Sequence, residues 1–457
     1  MEKKYKIQSE VGAILTSGHK VIMDSNVIYD STVSFFEQTG SREAFKSNLF
    51  RGLMLEMSSV TSIRKGAGIL DRMRRTNNGI IPATYRNSVE REGESIQRSM
   101  EEAASKAIEQ KGLAVSEDGT VTWRESGAVL AQGDFEPSGQ IHIDDATVHA
   151  AAKKARLEEG TYNPSDFELH GVNISCDEVG VRRQTESRPK KEGAVQAKRV
   201  ENTVIHVEMS NESENPKLLS SSSYILNSLS VSGAFKTLLG FLCINGLLDK
   251  TLVFFVDGAR NLNTTIASMF GYKNIKIILD WYHLRKKMEE TLSRICNNTI
   301  YRNEMLQKVM PILWKGDIDA ATAVLKEIDM KMVKNESALN YLIGYLERVR
   351  KTIPNYMLRA ELGLRNSSNR GEKANDLIVS NRQKHNGMSW SDDGSATLAS
   401  VTAALYNDEL GNWIEHGSLS LRMVERTTPK RPKRNRKRTE VAYSNPPAKK
   451  SKVKAAA

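Results

Sequence analysis

The sequence predicts an α/β protein built on a mixed sheet, and three observations predict it. Two short, continuous apolar runs, Leu252–Val256 and Ile275–Leu279, have the composition of strands buried on both faces. Each runs into an aspartate, Asp257 and Asp280, with a helical segment between them. Upstream, residues 167–183 and 201–210 place apolar residues at strand-like intervals. An acid at the C-terminal end of a buried strand sits where open α/β sheets place their ligands.

A chain of 457 residues exceeds one ordinary domain, and its hydrophobic content of 39% is enough for real cores. Cys176, Cys243 and Cys296 are far apart and form no C-x-x-C pair, which argues against a disulfide framework and a cysteine zinc site. The start, MEKKYKIQSE, lacks the apolar core of a signal peptide, and the longest apolar stretch, 237–248, is too short to span a bilayer. The expectation is a soluble intracellular protein without membrane association: cytoplasmic and nucleoid-associated in a bacterium, nuclear in a eukaryote. The charge is unevenly placed. Residues 426–457 carry twelve Lys/Arg against one acid, Glu440, which accounts for the whole net charge of +11.

Taken in order, residues 1–111 are predicted to be mainly helical, with apolar residues every three or four positions over 33–38, 44–57 and 62–75. Helices over 61–75 and 84–92, joined by a polar turn, make a helix-turn-helix for DNA ends or a plain helical hairpin. Thr84 is the candidate cap of the second helix and Gly93 its candidate end, with a separate charged helix over 96–111. Residues 112–165 hold a hairpin around a Glu-Asp-Gly turn, read as a wing, then a polar helix over 144–159 and a linker. The first part of the α/β region spans 166–296. It begins with a strand ending at Asp177, a second from Val179 to Arg183 and a third over 201–210, followed by an apolar helix or helix pair over 224–248. Residues 297–361 are amphipathic helix throughout. Residues 362–415 return with helices over about 370–384 and over 397–414, the first stopped by Gly387. Residues 416–457 form a basic, disordered tail.

Three antiparallel strands followed by alternating helices and strands is the order of the ribonuclease H-like fold, here with an all-α insertion. In that topology the first and fourth strands are neighbours. Asp177 and Asp257 then converge, with Glu372 arriving from a later helix although 80 and 115 residues separate the three. Three carboxylates suit hard divalent ions, and phosphoryl transfer uses two such ions about 4 Å apart. Glu178 is the alternative to Asp177, and Glu361 is the reserve third acid. Asp280 and His283 form a D-x-x-H pair that either binds metal or supports the helix it opens.

The chain resembles the DDE transposases of bacterial insertion sequences, in the broad Mutator-like group. The resemblance covers residues 177–413 and rests on an apolar strand ending Asp257-Gly258-Ala259 and a second ending Ile278-Leu279-Asp280-Trp281-Tyr282-His283. It continues after a helical insertion with Glu372-Lys373-Ala374-Asn375, then Arg382-Gln383-Lys384-His385-Asn386-Gly387-Met388-Ser389-Trp390. Two places depart from the pattern: Asn366–Gly371 replaces a glycine-rich run, and Asn261-Leu262-Asn263 stands where a tryptophan is usual. The resemblance implies that Asp177, Asp257 and Glu372 are catalytic and hold two Mg²⁺ or Mn²⁺ ions, with Asp280 and His283 in support. It implies cleavage at element ends and strand transfer into target double-stranded DNA by a homo-oligomer. Arg382, Lys384 and Trp390 are then expected at DNA. So is the tail, through Lys430, Arg431, Lys433, Arg434, Arg436, Lys437 and Arg438, although such a run also suits nuclear import. The alternatives are a DNA-binding protein derived from a transposase that no longer cuts, and a nuclease of the same fold that cuts without joining.

Overall fold

The computed structural model describes residues 48–73, 79–135, 141–158, 168–169, 171–185, 198–209, 223–384 and 387–423. It also describes the backbone of five strands, β1 (Lys4–Ser9), β2 (Gly12–Ser17), β3 (Val21–Met23), β4 (Asn26–Ile28) and β5 (Phe45–Lys46). The reading of 1–111 as mainly helical omits these strands, which precede its helices. β1 pairs antiparallel with β2 and parallel with β5, and β3 pairs with β4. The local cause is the period-two alternation of KYKIQS, which suits a strand and not a helix. The helix expected over 33–38 and the tail beyond residue 423 lie outside the described residues. Residues 416–423, expected at the start of a disordered tail, are instead packed: Leu421 is buried in the core, and its carbonyl accepts from Asn245 at 2.9 Å.

Three helices follow: α1 (Asn48–Val60), α2 (Ile63–Met73) and α3 (Pro82–Gln110). Pro82 opens α3 at a position where a missing N–H costs little. The helices expected over 84–92 and 96–111 are one continuous element, so Gly93 ends nothing. Gly93 lies against the main chain at Thr397, and a Cβ there would come within 2.3 Å of the Thr397 carbonyl oxygen. Tyr85, inside the supposed recognition helix, is buried and donates to the Met54 carbonyl at 2.6 Å. Phe50, Leu55, Val89 and Ile96 share one core with Leu398, Val401 and Trp413. The helical region is therefore packed onto the C-terminal helices rather than standing as a separate unit.

The expected hairpin is present as β6 (Leu113–Val115) and β7 (Val121–Trp123). It is no wing beside α1 and α2: Leu113 and Val121 pack with Phe235, Leu239 and Phe270. β8 (Ile141–His142) pairs with β9 (Glu168–Leu169), and between them Asp144 caps α4 (Asp145–Lys154).

The main sheet contains β10 (Val172–Arg182), β11 (Arg199–Met209), β12 (Ser223–Ser228), β13 (Leu252–Val256) and β14 (Ile275–Leu279), in the order β12-β11-β10-β13-β14. The first three are antiparallel, and β13 and β14 run parallel to β10. The strand count is as expected but its composition differs. Val179–Arg183 is not a second strand, because β10 runs on through Val179 and Val181, both paired with β11. The third antiparallel strand is instead β12, in a stretch read as helix. Its five buried residues, Tyr224–Ser228, form a run too short to distinguish strand from helix by periodicity. α5 (Val231–Ile244) then leads into β13.

Both faces of the sheet are covered. On β13, Leu252, Phe254 and Val256 join the core beneath α5 and α6 (Arg260–Phe270), while Val253 and Phe255 face the helices that follow β14. Those helices are α7 (Trp281–Ile295) and then, over the stretch 297–361 expected to be helical throughout, α8 (Thr299–Trp314), α9 (Ile318–Lys326), α10 (Glu336–Val349) and α11 (Tyr356–Glu361). Trp314 stacks on Tyr356, Trp281 meets both rings at an angle, and the Tyr356 hydroxyl donates to the Leu279 carbonyl of β14 at 2.7 Å, anchoring these helices to the sheet. The chain returns as α12 (Asn369–Asn375), a π-helical turn (Asp376–Ser380) and α13 (Asn381–Gln383). The last helix divides into α14 (Asp392–Tyr406) and α15 (Leu410–His416), with Asp408 at positive φ between them. No helix among the described residues is long and apolar enough to cross a membrane.

Candidate active site

Side chains on a strand alternate between faces, which decides where Asp177 points. Val172, Ile174 and Cys176 pack beneath α5, whereas Val179 and Val181 pack on the opposite face with Ala374 and Ile378. Asp177 shares the second face, and Glu178 the first. Asp177 lies in the middle of β10 rather than at its end. However, β13 pairs only with Val172–Ser175, so Asp177 stands just past the point where its neighbour strand stops. An ionisable side chain is tolerated there because one flank is open. Asp257 follows β13 directly, is exposed, and accepts from the Ala259 N–H at 2.8 Å through Oδ1.

Glu372 is brought in by α12. Gly371 makes this approach possible: a Cβ there would come within 2.7 Å of the Ser175 Cβ on β10. Asn375, one turn after Glu372, donates from Nδ2 to Asp177 Oδ2 at 2.6 Å. Glu372 itself is about half exposed, with Oε1 at 4.0 Å from His283 Nε2.

Asp280 is the buried organiser of this corner. It caps α7 by accepting from the His283 N–H at 2.9 Å, and the His283 ring faces Asp280 Oδ1 with Nδ1 at 3.2 Å. An ionised carboxylate only accepts, so Nδ1 carries the proton there. The other oxygen, Oδ2, accepts from the Ser368 N–H and hydroxyl, immediately before α12. One carboxylate thus fixes His283 and the start of the helix carrying Glu372. Burial pushes the Asp280 carboxyl up, but the bonds from His283 and Ser368 more than offset it and hold it at about 2. The same hydrogen bond raises His283 above its ordinary value against the opposing effect of burial.

Asp177 behaves oppositely. Burial, then the negative charge of Asp257, push its carboxyl up to about 6, with Glu372 contributing in the same direction. A raised acid makes folding favour the protonated form, so its effect on stability follows from linkage. Stability falls as pH rises between the ordinary value of 3.8 and about 6, and the penalty persists above that window. Asp177→Asn removes the charge and keeps one of the two acceptors, for Asn375 or for the Glu178 N–H. It is expected to stabilise the chain at neutral pH by roughly 1–2 kcal/mol and to flatten this pH dependence. Urea midpoints across the window check this.

The structure brings Asp177, Asp257 and Glu372 into one charge cluster, with Asp280 and His283 behind them. Glu178 accepts from Asn261 Nδ2 at 2.7 Å on the other face, and Glu361 pairs with Lys154 at 2.9 Å. Asn375 belongs to the Glu372-Lys373-Ala374-Asn375 match, one helical turn after Glu372, but the sequence assigned no role to it, to Gly371 or to Ser368. The donor chemistry fits a divalent cation: carboxylate oxygens, with Asp257 Oδ2 unpartnered among the described residues. Among those residues, no group of three or more His, Cys, Asp and Glu side chains forms a ready-made metal cage.

Of the expected DNA contacts Arg382 is corrected, and Trp390 is half-buried beside it. Arg382 is buried, donates through Nε to the Ser58 carbonyl at 2.8 Å, and lies over the Trp390 ring at 5.2 Å. Trp390 donates from Nε1 to the Gln383 carbonyl at 3.0 Å and bridges to Arg183. Both bind the helical region to the sheet, because an apolar crevice and free main-chain carbonyls are available there. Lys384 is exposed, and the tail cations from Lys430 to Arg438 lie outside the described residues. No protein-family model matches the chain, and no curated protein matches it.

Proposed function

We propose that the chain is a metal-dependent DNA transposase with a ribonuclease H-like core, cutting element ends and joining them to target DNA. The observation that carries this is the approach of three acids from separate elements: Asp177 on β10 beside the end of β13, Asp257 following β13, and Glu372 on α12, which Gly371 seats on β10 and Asn375 ties to Asp177. The sheet order, with β10 between an antiparallel pair and two parallel strands, supports the core assignment.

Asp177, Asp257 and Glu372 would hold Mg²⁺ or Mn²⁺, which when bound neutralises phosphate charge and activates a hydroxyl for in-line attack. The chain's own groups do the rest. Asp280 fixes His283, and His283 faces Glu372 with a ring that burial and Asp280 keep in place, so it is a positioning residue. Asn375 holds Oδ2 of Asp177 and the Glu178 N–H holds Oδ1, so a ligand would take the remaining lone pairs of the same carboxylate. The partners are double-stranded DNA at element and target, and a second copy of the chain when two ends are paired.

Nicking of a duplex bearing the element's own ends, with and without Mg²⁺, tests the proposal. Nicks followed by joined products support it. Cutting without joining reduces it to a nuclease, and binding without metal-dependent cutting sinks the enzymatic assignment. His283→Gln is expected to lower the cutting rate about 10- to 100-fold, the usual scale for a group that orients a metal ligand, with duplex affinity unchanged in a binding titration.

A further inference from the structure

α12 has two differently charged faces. Glu372 belongs to the acidic corner, while Arg370 and Lys373 line a separate cleft of about 420 Å³ together with His206, Ser223, Asn369 and Asn407. Among the described residues no Asp or Glu lines this cleft. Beneath it Glu208 is buried and receives two guanidinium groups, Arg370 at 2.8 Å and Arg365 on its other oxygen. Two cations on one carboxylate leave one positive charge in surplus and hold the Arg370 side chain in place, with about a quarter of it exposed. Lys373 adds a second positive charge, is exposed, and has no partner among the described residues. His206 stays neutral, pushed down to about 3 by burial and by Arg365 and Arg370, so it offers hydrogen bonding without charge.

An acidic corner alone repels a nucleic-acid strand, and a preorganised cationic cleft on the same helix offsets that repulsion. We propose that this cleft binds the phosphodiester backbone of the DNA strand next to the phosphate being cut, with Arg370 and Lys373 as its phosphate contacts. The inference rests on the function proposed above. Phosphate contacts of this kind set register without reading sequence.

The test uses the full chain in EDTA, so that no cutting occurs, with labelled duplexes of unrelated sequence titrated over a series of salt concentrations by fluorescence anisotropy. Lys373→Glu is expected to weaken binding to all duplexes alike and to lower the salt slope by about 1. Asn369→Asp places an acid at the same cleft in the first turn of α12, where an acid favours the helix, and is also expected to weaken binding. Lys308→Glu, at an exposed site on α8, is the control and is expected to leave the slope unchanged. Equal slopes for Lys373→Glu and Lys308→Glu overturn the proposal. Lys373-dependent binding of inorganic phosphate without a Lys373 effect on duplexes also overturns it, assigning a small-anion site instead. Nicking failure with the Lys373 effect intact refutes the enzymatic function and leaves the cleft. Loss of the Lys373 effect with nicking intact refutes only the cleft.

Discussion

Replacing Asp257 by asparagine is expected to stop strand cleavage, lowering its rate on the order of 10³-fold or more, as removal of one member of a unit-like catalytic set does. Duplex binding should persist. The expectation is sharp because the side chain is exposed at the end of β13 and its one described hydrogen bond is accepted by Oδ1 from the Ala259 N–H. Asparagine keeps that acceptor and the shape of the turn while removing the negative charge, so lost activity cannot be blamed on lost structure. The measurement is a gel assay of nicked and joined products beside an anisotropy titration of the same duplex. Wild-type cleavage by the variant would remove Asp257 from the chemistry and break the carboxylate set.

The largest stability effect is expected at Gly93. Two contributions of opposite sign compete there. Alanine is the better helix former by about 1 kcal/mol, yet its Cβ would come within 2.3 Å of the Thr397 carbonyl oxygen and 2.7 Å of its carbonyl carbon. The obstacle is main chain and cannot rotate away, so α3 and α14 must separate, opening the core formed by Val89, Ile96 and Leu398. Overpacking of that kind outweighs propensity, and Gly93→Ala is expected to destabilise by roughly 2–3 kcal/mol. At Gly344, inside α10, an added methyl group would meet nothing within 4 Å. The identical change there should stabilise by up to about 1 kcal/mol. Urea unfolding of the two variants side by side gives opposite signs if close helix contact governs Gly93, and the same sign if it does not.

Much of the acidic corner is legible in the sequence. Asp257 and Asp280 announce themselves because buried strands are written as continuous apolar runs, so the first acid after each run marks its end. The insertion is legible for a related reason: amphipathic helices carry a period that no strand shares. β12 is not, since five consecutive buried residues fit a strand or a turn of buried helix equally, and only pairing with β11 separates them. The division of Val172–Arg182 into two strands fails because Asp177 looks like a terminus. Whether a polar residue ends a strand depends on what lies beside it, and here β13 stops short while β11 continues.

Arg382 and Trp390 mark the same limit from the other side. Their residue types suit DNA contact, but type does not give direction: the Arg382 side chain turns inward to the Ser58 carbonyl, and the Trp390 indole N–H is taken by the Gln383 carbonyl. By itself the sequence determined the elements whose signals are local: the apolar strands with their terminal acids, the helical insertion, and the concentration of charge in the last residues. Tertiary structure decided how the acids meet and which of the alternatives stay away. Asp177 is chosen over Glu178 by strand alternation, and Glu372 is delivered by a glycine that lets α12 lie on β10. The D-x-x-H pair becomes a support because Asp280 is shared between α7 and the start of α12. Each of these depends on contacts between residues far apart in the chain, and no local pattern encodes them.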